Sequence, residues 1–176
     1  MSRTQRPDDQ FREERLINDR LRELENSITS ERGAFEAWRA SSSTPGGNTL
    51  ISVAMNAKSA QSSDWYNIAT GRYTPQAAGF YYLEIFLTAA TNMSTGTVGW
   101  KVYLLKNGSI VRQLSETLQN AHPAFPRGGG SSIVYANGST DYFEPGFLHN
   151  DFVARGVHGE SPFGYLYTRF TGSRAV

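Results

Sequence analysis

Between about Gln10 and Arg39 the apolar residues Ile17, Leu21, Leu24, Ile28, Phe35 and Trp38 follow a 4-3-4 spacing, with Glu31 breaking the seam. Such a narrow stripe predicts a coiled-coil helix with these residues at a and d positions. Ile17 and Leu24 fall at d while Leu21 and Ile28 fall at a, so β-branched residues are not confined to a, and the pattern permits three strands as well as two. Arg20 at g and Glu25 at the following e can pair between chains and set register. A helix of this span is at most about 45 Å long, so it depends on association or docking rather than on propensity. A helix folded back onto its own domain is the alternative.

After residue 40 the period changes. Residues 41–48, rich in Ser and Gly and containing Pro45, cannot continue a helix and mark a linker. Beyond it, β-branched and aromatic runs alternate with turn signals. The alternation predicts strands over 50–54, 65–68, 79–88, 98–105, 110–115, 131–135, 141–147 and 164–170. Asn107-Gly108 between two of these runs predicts a tight type I′ hairpin. The run from Phe80 to Leu87 has almost no polar break: Tyr81, Leu83, Ile85 and Leu87 form one face, and Phe80, Tyr82, Glu84 and Phe86 the other. The first set is assigned to the domain core. Phe80, Tyr82 and Phe86 then need cover of their own, and another copy of the chain is the expected source, with a loop of the same domain as the alternative.

Composition sharpens this division. Residues 1–40 hold 8 Arg and 9 Asp or Glu, whereas residues 41–176 hold 9 Lys or Arg and 7 Asp or Glu over a much longer stretch. The expected layout is a polar anchoring tail over 1–9, a coiled-coil helix over 10–40, a linker over 41–48 and an all-β head over 49–176. The net charge of +1 gives no field favouring nucleic acid. With no apolar run of about 18 residues, membrane insertion is not expected either. The N-terminus lacks an apolar segment of signal-peptide type. Zero cysteines rule out disulfides, thiolate metal sites and cysteine nucleophiles.

The segment from about Asn48 onward resembles the jelly-roll domain shared by complement component 1q and tumour necrosis factor. The resemblance rests on Asn67, Gly71-x-Tyr73, Gly79-x-Tyr81-x-Leu83, the run Leu105 to Gly108, and the aromatic-glycine run Phe163 to Leu166 as a closing strand. It departs from the family where Gly138 and Asp141 are separated by two residues. The resemblance implies a jelly-roll sandwich and, from the habit of that superfamily, a homotrimer preceded by a stalk. Similar layouts occur in phage proteins that project from larger particles.

Chemistry-bearing residues are sparse. His122, His149 and His158 lie in loop-like sequence, and Asp141, Glu144 and Asp151 lack the dense acidic spacing of a calcium loop. No serine sits in a nucleophile elbow, and Gly128 to Gly130, without a following lysine and helix, reads as a mobile turn. Two aromatic segments, one holding Phe125 and the other Phe147, His149, Asp151 and Phe152, are the expected ligand-binding loops.

The reading that results is a non-enzymatic, cofactor-free homotrimeric virion structural protein assembled in the host cytoplasm. Residues 1–40 contact another virion protein, and the head decorates the particle or attaches to a host-surface glycan or protein. A free carbohydrate-binding adhesin or lectin-like module is the alternative, and a glycan hydrolase a further one.

Overall fold

A computed structural model describes residues 15–23, 33–40, 49–59, 63–89, 97–120, 127–150, 157–159 and 168–175. Among the described residues, eleven strands pack as two antiparallel sheets face to face. The first sheet runs β3-β1-β11-β6-β9, with β1 Phe35–Trp38, β3 Ala57–Lys58, β6 Ala78–Thr88, β9 Arg127–Asn137 and β11 Arg169–Arg174. The second runs β4-β5-β10-β7-β8, with β4 Tyr66–Asn67, β5 Arg72–Tyr73, β7 Thr97–Lys106, β8 Ser109–Asn120 and β10 Phe143–His149, and β2 Ile51–Ser52 pairs with β10. Apart from the β4–β5 and β7–β8 pairs, successive strands fall in different sheets, which fits a jelly-roll sandwich.

The period-two alternation in β6 is obeyed: Tyr81, Leu83, Ile85 and Leu87 are buried, and Phe80 and Tyr82 point outward. From the other sheet Trp100, Val102, Leu104, Phe143 and Phe147 fill the same core. The β7–β8 hairpin closes on Asn107 and Gly108, whose φ values of 53° and 77° suit the type I′ turn expected from that dipeptide.

Three expectations are corrected. Residues 15–23 are helical, but the helix does not reach Arg39, because Phe35–Trp38 form β1 between β3 and β11. The all-β domain therefore takes in residues assigned to the helix. Phe35 packs on Tyr73 at 4.2 Å, Phe170 at 4.8 Å and Tyr66 at 5.1 Å, and that burial outweighs a spacing that also fits a helix. Gly33, at φ 60°, marks the turn into β1, and the Tyr73 hydroxyl donates to its carbonyl at 2.9 Å.

Residues 128–130 are not a loop but the start of β9, where Gly128, Gly129 and Gly130 pair with Leu87, Phe86 and Ile85. A Cβ on Gly128 would meet Ser115 Oγ at 2.6 Å, and one on Gly130 would meet the Leu114 carbonyl oxygen at 3.2 Å. The glycines let β9 approach β8 of the opposite sheet. Finally, the strand expected over 164–170 is observed as β11 Arg169–Arg174, with residues 160–167 outside those described.

Candidate functional site

The outer face of the first sheet carries the candidate site. Phe80 and Tyr135 are register partners, as are Tyr82 and Ile133. All four are exposed, at 58%, 50%, 42% and 60% respectively. The Phe80 and Tyr135 rings meet edge to face, centroids 5.5 Å apart and planes at 68°. Directly paired apolar side chains on a pleated face make a contiguous patch rather than scattered exposure. Phe86, expected to share this face, does so but is half-buried; it stands in a row with Arg169 and Trp38 across three strands.

Ile133 and Tyr135 were not anticipated. Their alternation was visible in the strand expected over 131–135, but their apposition to Phe80 and Tyr82 depends on β6–β9 pairing, which no local signal encodes.

Other expected site residues are dispersed. Ile17 and Leu21 lie on the helix over residues 15–23 and are exposed, with Leu16 beside them. Phe35 is buried in the head core and Trp38 is half-buried on β1, so neither belongs to a helical seam. Phe147 and His149 are fully buried on β10: Phe147 packs on Trp100 at 4.7 Å and stacks on His149 at 5.5 Å. Neither can present its ring to a ligand, which corrects their assignment to an exposed loop. The reason is position, since β10 lies in the middle of its sheet with β5 and β2 on one side and β7 on the other. Leu24, Ile28, Phe125, Asp151 and Phe152 lie outside the described residues.

The acidic candidates are held by structural partners. Asp141 accepts from Asn107 Nδ2 at 2.9 Å and from the Asn137 backbone N–H at 2.8 Å, and it pairs with Lys106 Nζ at 2.8 Å. Glu144 lies 3.5 Å from Arg72 Nε, whose guanidinium also covers the Tyr142 ring at 4.0 Å. Among the described residues there is no group of three or more His, Cys, Asp or Glu placed to hold a metal ion. Burial, with the nearby Arg127 charge, holds the His158 imidazole below its ordinary value, so it is neutral in the fold near pH 7.

The Lys106 hydrogen bond holds the Asp141 carboxyl below its ordinary value, helped by Asn107 and by the Asn137 N–H, against the opposing effect of burial. A carboxyl depressed in the folded state contributes stability above its unfolded pKa and loses it as pH falls through the folded value. The loss therefore falls below about pH 4. Asp141→Asn is expected to cost about 2 kcal/mol at pH 7 and to flatten the acid limb below pH 4, read by thermal melts at pH 3 and pH 7. An unchanged melting temperature at pH 7 would remove Asp141 as the tie between the β7–β8 hairpin and β10.

No protein-family model matches the chain, and no curated protein matches it. Solved structures do. The globular domain of zebrafish complement 1qA protein superposes with a TM-score of 0.54 at 17% identity, over 82% of this chain and 98% of that one. Eiger TNF from S. frugiperda gives 0.47 at 11% identity, over 81% of this chain and 92% of that one. Murine APRIL gives 0.46 at 12%, over 81% and 98%. The complement domain carries the assignment: the chain has a complement-1q-like jelly-roll fold. Among the described residues no helix is long and apolar enough to cross a membrane.

Proposed function

We propose that the protein is a non-enzymatic homotrimer in which the N-terminal helix joins copies in parallel and the jelly roll forms a projecting head. The observation that carries this is the helix over residues 15–23, which leaves Leu16, Ile17 and Leu21 exposed just ahead of a strand built into the head. An apolar stripe on a short helix finds stability in association. The complement-1q-like fold supports a head of ligand type, and the held carboxylates of Asp141 and Glu144 favour scaffold over catalysis. We place this head on a virion, as a decoration, head-fibre or tail-attachment protein anchored through the residues ahead of Gly33, since Phe35–Trp38 belong to the head. The charged, cysteine-free N-terminal segment is compatible with an anchor assembled into a particle.

Light scattering of the full chain is expected to give three times the 19.5 kDa chain mass, and Leu21→Asp to give the single-chain mass with the β-rich circular dichroism retained. A monomeric unsubstituted chain would refute the assembly. The setting is tested separately by mass spectrometry of purified particles from a host expressing the chain, where its absence from them would end the virion reading. Burial of Phe147 and His149 weakens the lectin-like alternative, because half of the ring-bearing loop it requires is core.

A further inference from the structure

The triplet Asn-Gly-Ser occurs at two turns of the head, as Asn107-Gly108-Ser109 between β7 and β8 and as Asn137-Gly138-Ser139 after β9. Asparagine followed by glycine leaves the side-chain amide open to attack by the next backbone nitrogen, because glycine has no Cβ to hinder the approach and tolerates the backbone angles that closure requires. Both glycines are at positive φ, 77° and 75°, and both asparagines are exposed to water. With the triplet, the glycine conformation and the exposure matched, a difference in reactivity has to come from where the fold holds each amide.

The two amides are held in opposite ways. Asn107 reaches across to a distant part of the chain: its Oδ1 accepts from the Tyr142 N–H at 2.9 Å and its Nδ2 donates to the Asp141 carboxylate at 2.9 Å, partners 35 and 34 residues away. Both bonds draw the amide away from Gly108. Asn137 instead curls over the residues that follow it. Its Oδ1 accepts from the backbone N–H groups of Ser139 at 3.0 Å, Thr140 at 3.0 Å and Asp141 at 3.1 Å, and from the Ser139 hydroxyl at 3.3 Å, while Nδ2 donates to Thr140 Oγ1 at 2.8 Å. An amide oxygen bonded to the second, third and fourth N–H groups after its own residue brings its carbon over the peptide in between, the one that carries the Gly138 nitrogen.

We propose that Asn137-Gly138 is a self-modification site, at which the Gly138 nitrogen attacks Asn137 Cγ to close a succinimide, and that the fold protects Asn107-Gly108 from the same reaction. As the bond from nitrogen to Cγ forms, the Gly138 amide proton passes to solvent base and negative charge gathers on Oδ1. The three backbone N–H groups already aimed at that atom are the donor array that stabilises such an oxyanion. The bond from Cγ to Nδ2 then breaks, and the nitrogen takes a proton from water and leaves as ammonia. Water opens the ring at either carbonyl to give aspartate or isoaspartate, so one water is consumed for each ammonia released and no oxidant or metal is involved.

The products are received as differently as the amides. A carboxylate at 137 keeps the three N–H donors, and the Thr140 hydroxyl, an acceptor in the amide form, can turn its proton toward the new oxygen. At 107 the group lost is the donor to Asp141, and the oxygen replacing it faces a carboxylate across 2.9 Å, where like charges repel. The turn between β9 and β10 thus accepts a permanent negative charge that the β7–β8 hairpin rejects.

The test uses the full chain, held folded in mildly alkaline buffer and sampled over time by proteolysis and mass spectrometry for conversion of amide to acid. Position 137 is expected to convert at least about tenfold faster than position 107. In urea the two rates are expected to converge, since only the shared triplet remains. Equal rates in the folded chain, a faster position 107 or no conversion at 137 overturns the proposal. A preference for 137 that persists in urea overturns it too, because neighbouring sequence rather than the fold would then be the cause. As an independent measurement, Asn137→Asp is expected to melt within about 2 °C of the unsubstituted chain and Asn107→Asp several degrees lower. Equal losses in the two variants, or the reverse order, count against the proposal.

Discussion

Phe35→Ala is expected to lower the melting temperature of the full chain by roughly 10 °C. Removing a fully packed phenylalanine costs about 3–5 kcal/mol, and in a chain of this size each kcal/mol moves the midpoint by roughly 2–4 °C. The ring sits among Tyr66, Tyr73 and Phe170, so its loss opens a cavity lined by rings that cannot collapse into it. The consequence extends beyond volume. β1 is only four residues long and is held by β11, by β3 and by this side chain, so loosening Phe35 also frees the strand that joins helix to head. Phe35→Leu, which keeps most of the volume, is expected to recover about half of the loss. If Phe35→Ala melted within about 2 °C of the unsubstituted chain, β1 would not be part of the core.

The second large effect is expected at Gly129. A Cβ there would run into the Ile85 carbonyl oxygen and come within 2.9 Å of Phe86 Cα, both backbone atoms of the paired strand. No rotamer change can relieve such a clash, so Gly129→Ala forces β9 away from β6. Overpacking of this kind costs about 3 kcal/mol, and it falls on the strand pair that carries the exposed patch. Guanidinium unfolding is expected to show a lower midpoint with an unchanged slope, because stability changes while the surface exposed on unfolding does not. A mobile glycine turn predicts the opposite, a neutral or mildly stabilising alanine. The sign of the shift thus decides between the two.

What could be seen in the sequence were features whose causes are local. The alternation from Phe80 to Leu87 identified a strand and its buried face, because the period of a strand is set by the backbone itself. Asn107-Gly108 identified a hairpin for an equally local reason, the tolerance of these residues for positive φ. β1 was hidden because Phe35 and Trp38 satisfy a heptad spacing as well as they satisfy a strand. The partners that settle the matter are distant, and even the Tyr73 hydroxyl that holds Gly33 is 40 residues along the chain.

Pro145 and Gly146 stand where the strand expected over 141–147 overlaps the segment expected to be a ligand-binding loop. In the fold the Pro145 carbonyl accepts the Val53 N–H at 2.8 Å, and a Cβ on Gly146 would meet the Leu105 side chain at 2.9 Å. Each breaker is used there for close approach instead of a turn. The candidate site was half legible. Phe80 and Tyr82 stood out because a doubly apolar strand needs explaining, whereas Ile133 and Tyr135 acquire meaning only once β9 is known to lie beside β6.

The placement of β1 also has a mechanical consequence. Tension directed along β1 would act on a strand flanked on both sides by antiparallel neighbours. Ladder hydrogen bonds lie perpendicular to that axis, so they are loaded together in shear instead of being peeled one at a time. The Phe35 ring, lodged between Tyr66, Tyr73 and Phe170, acts as a barb against sliding. A head tethered in this way resists extraction by tension through a short strand alone, without a covalent cross-link.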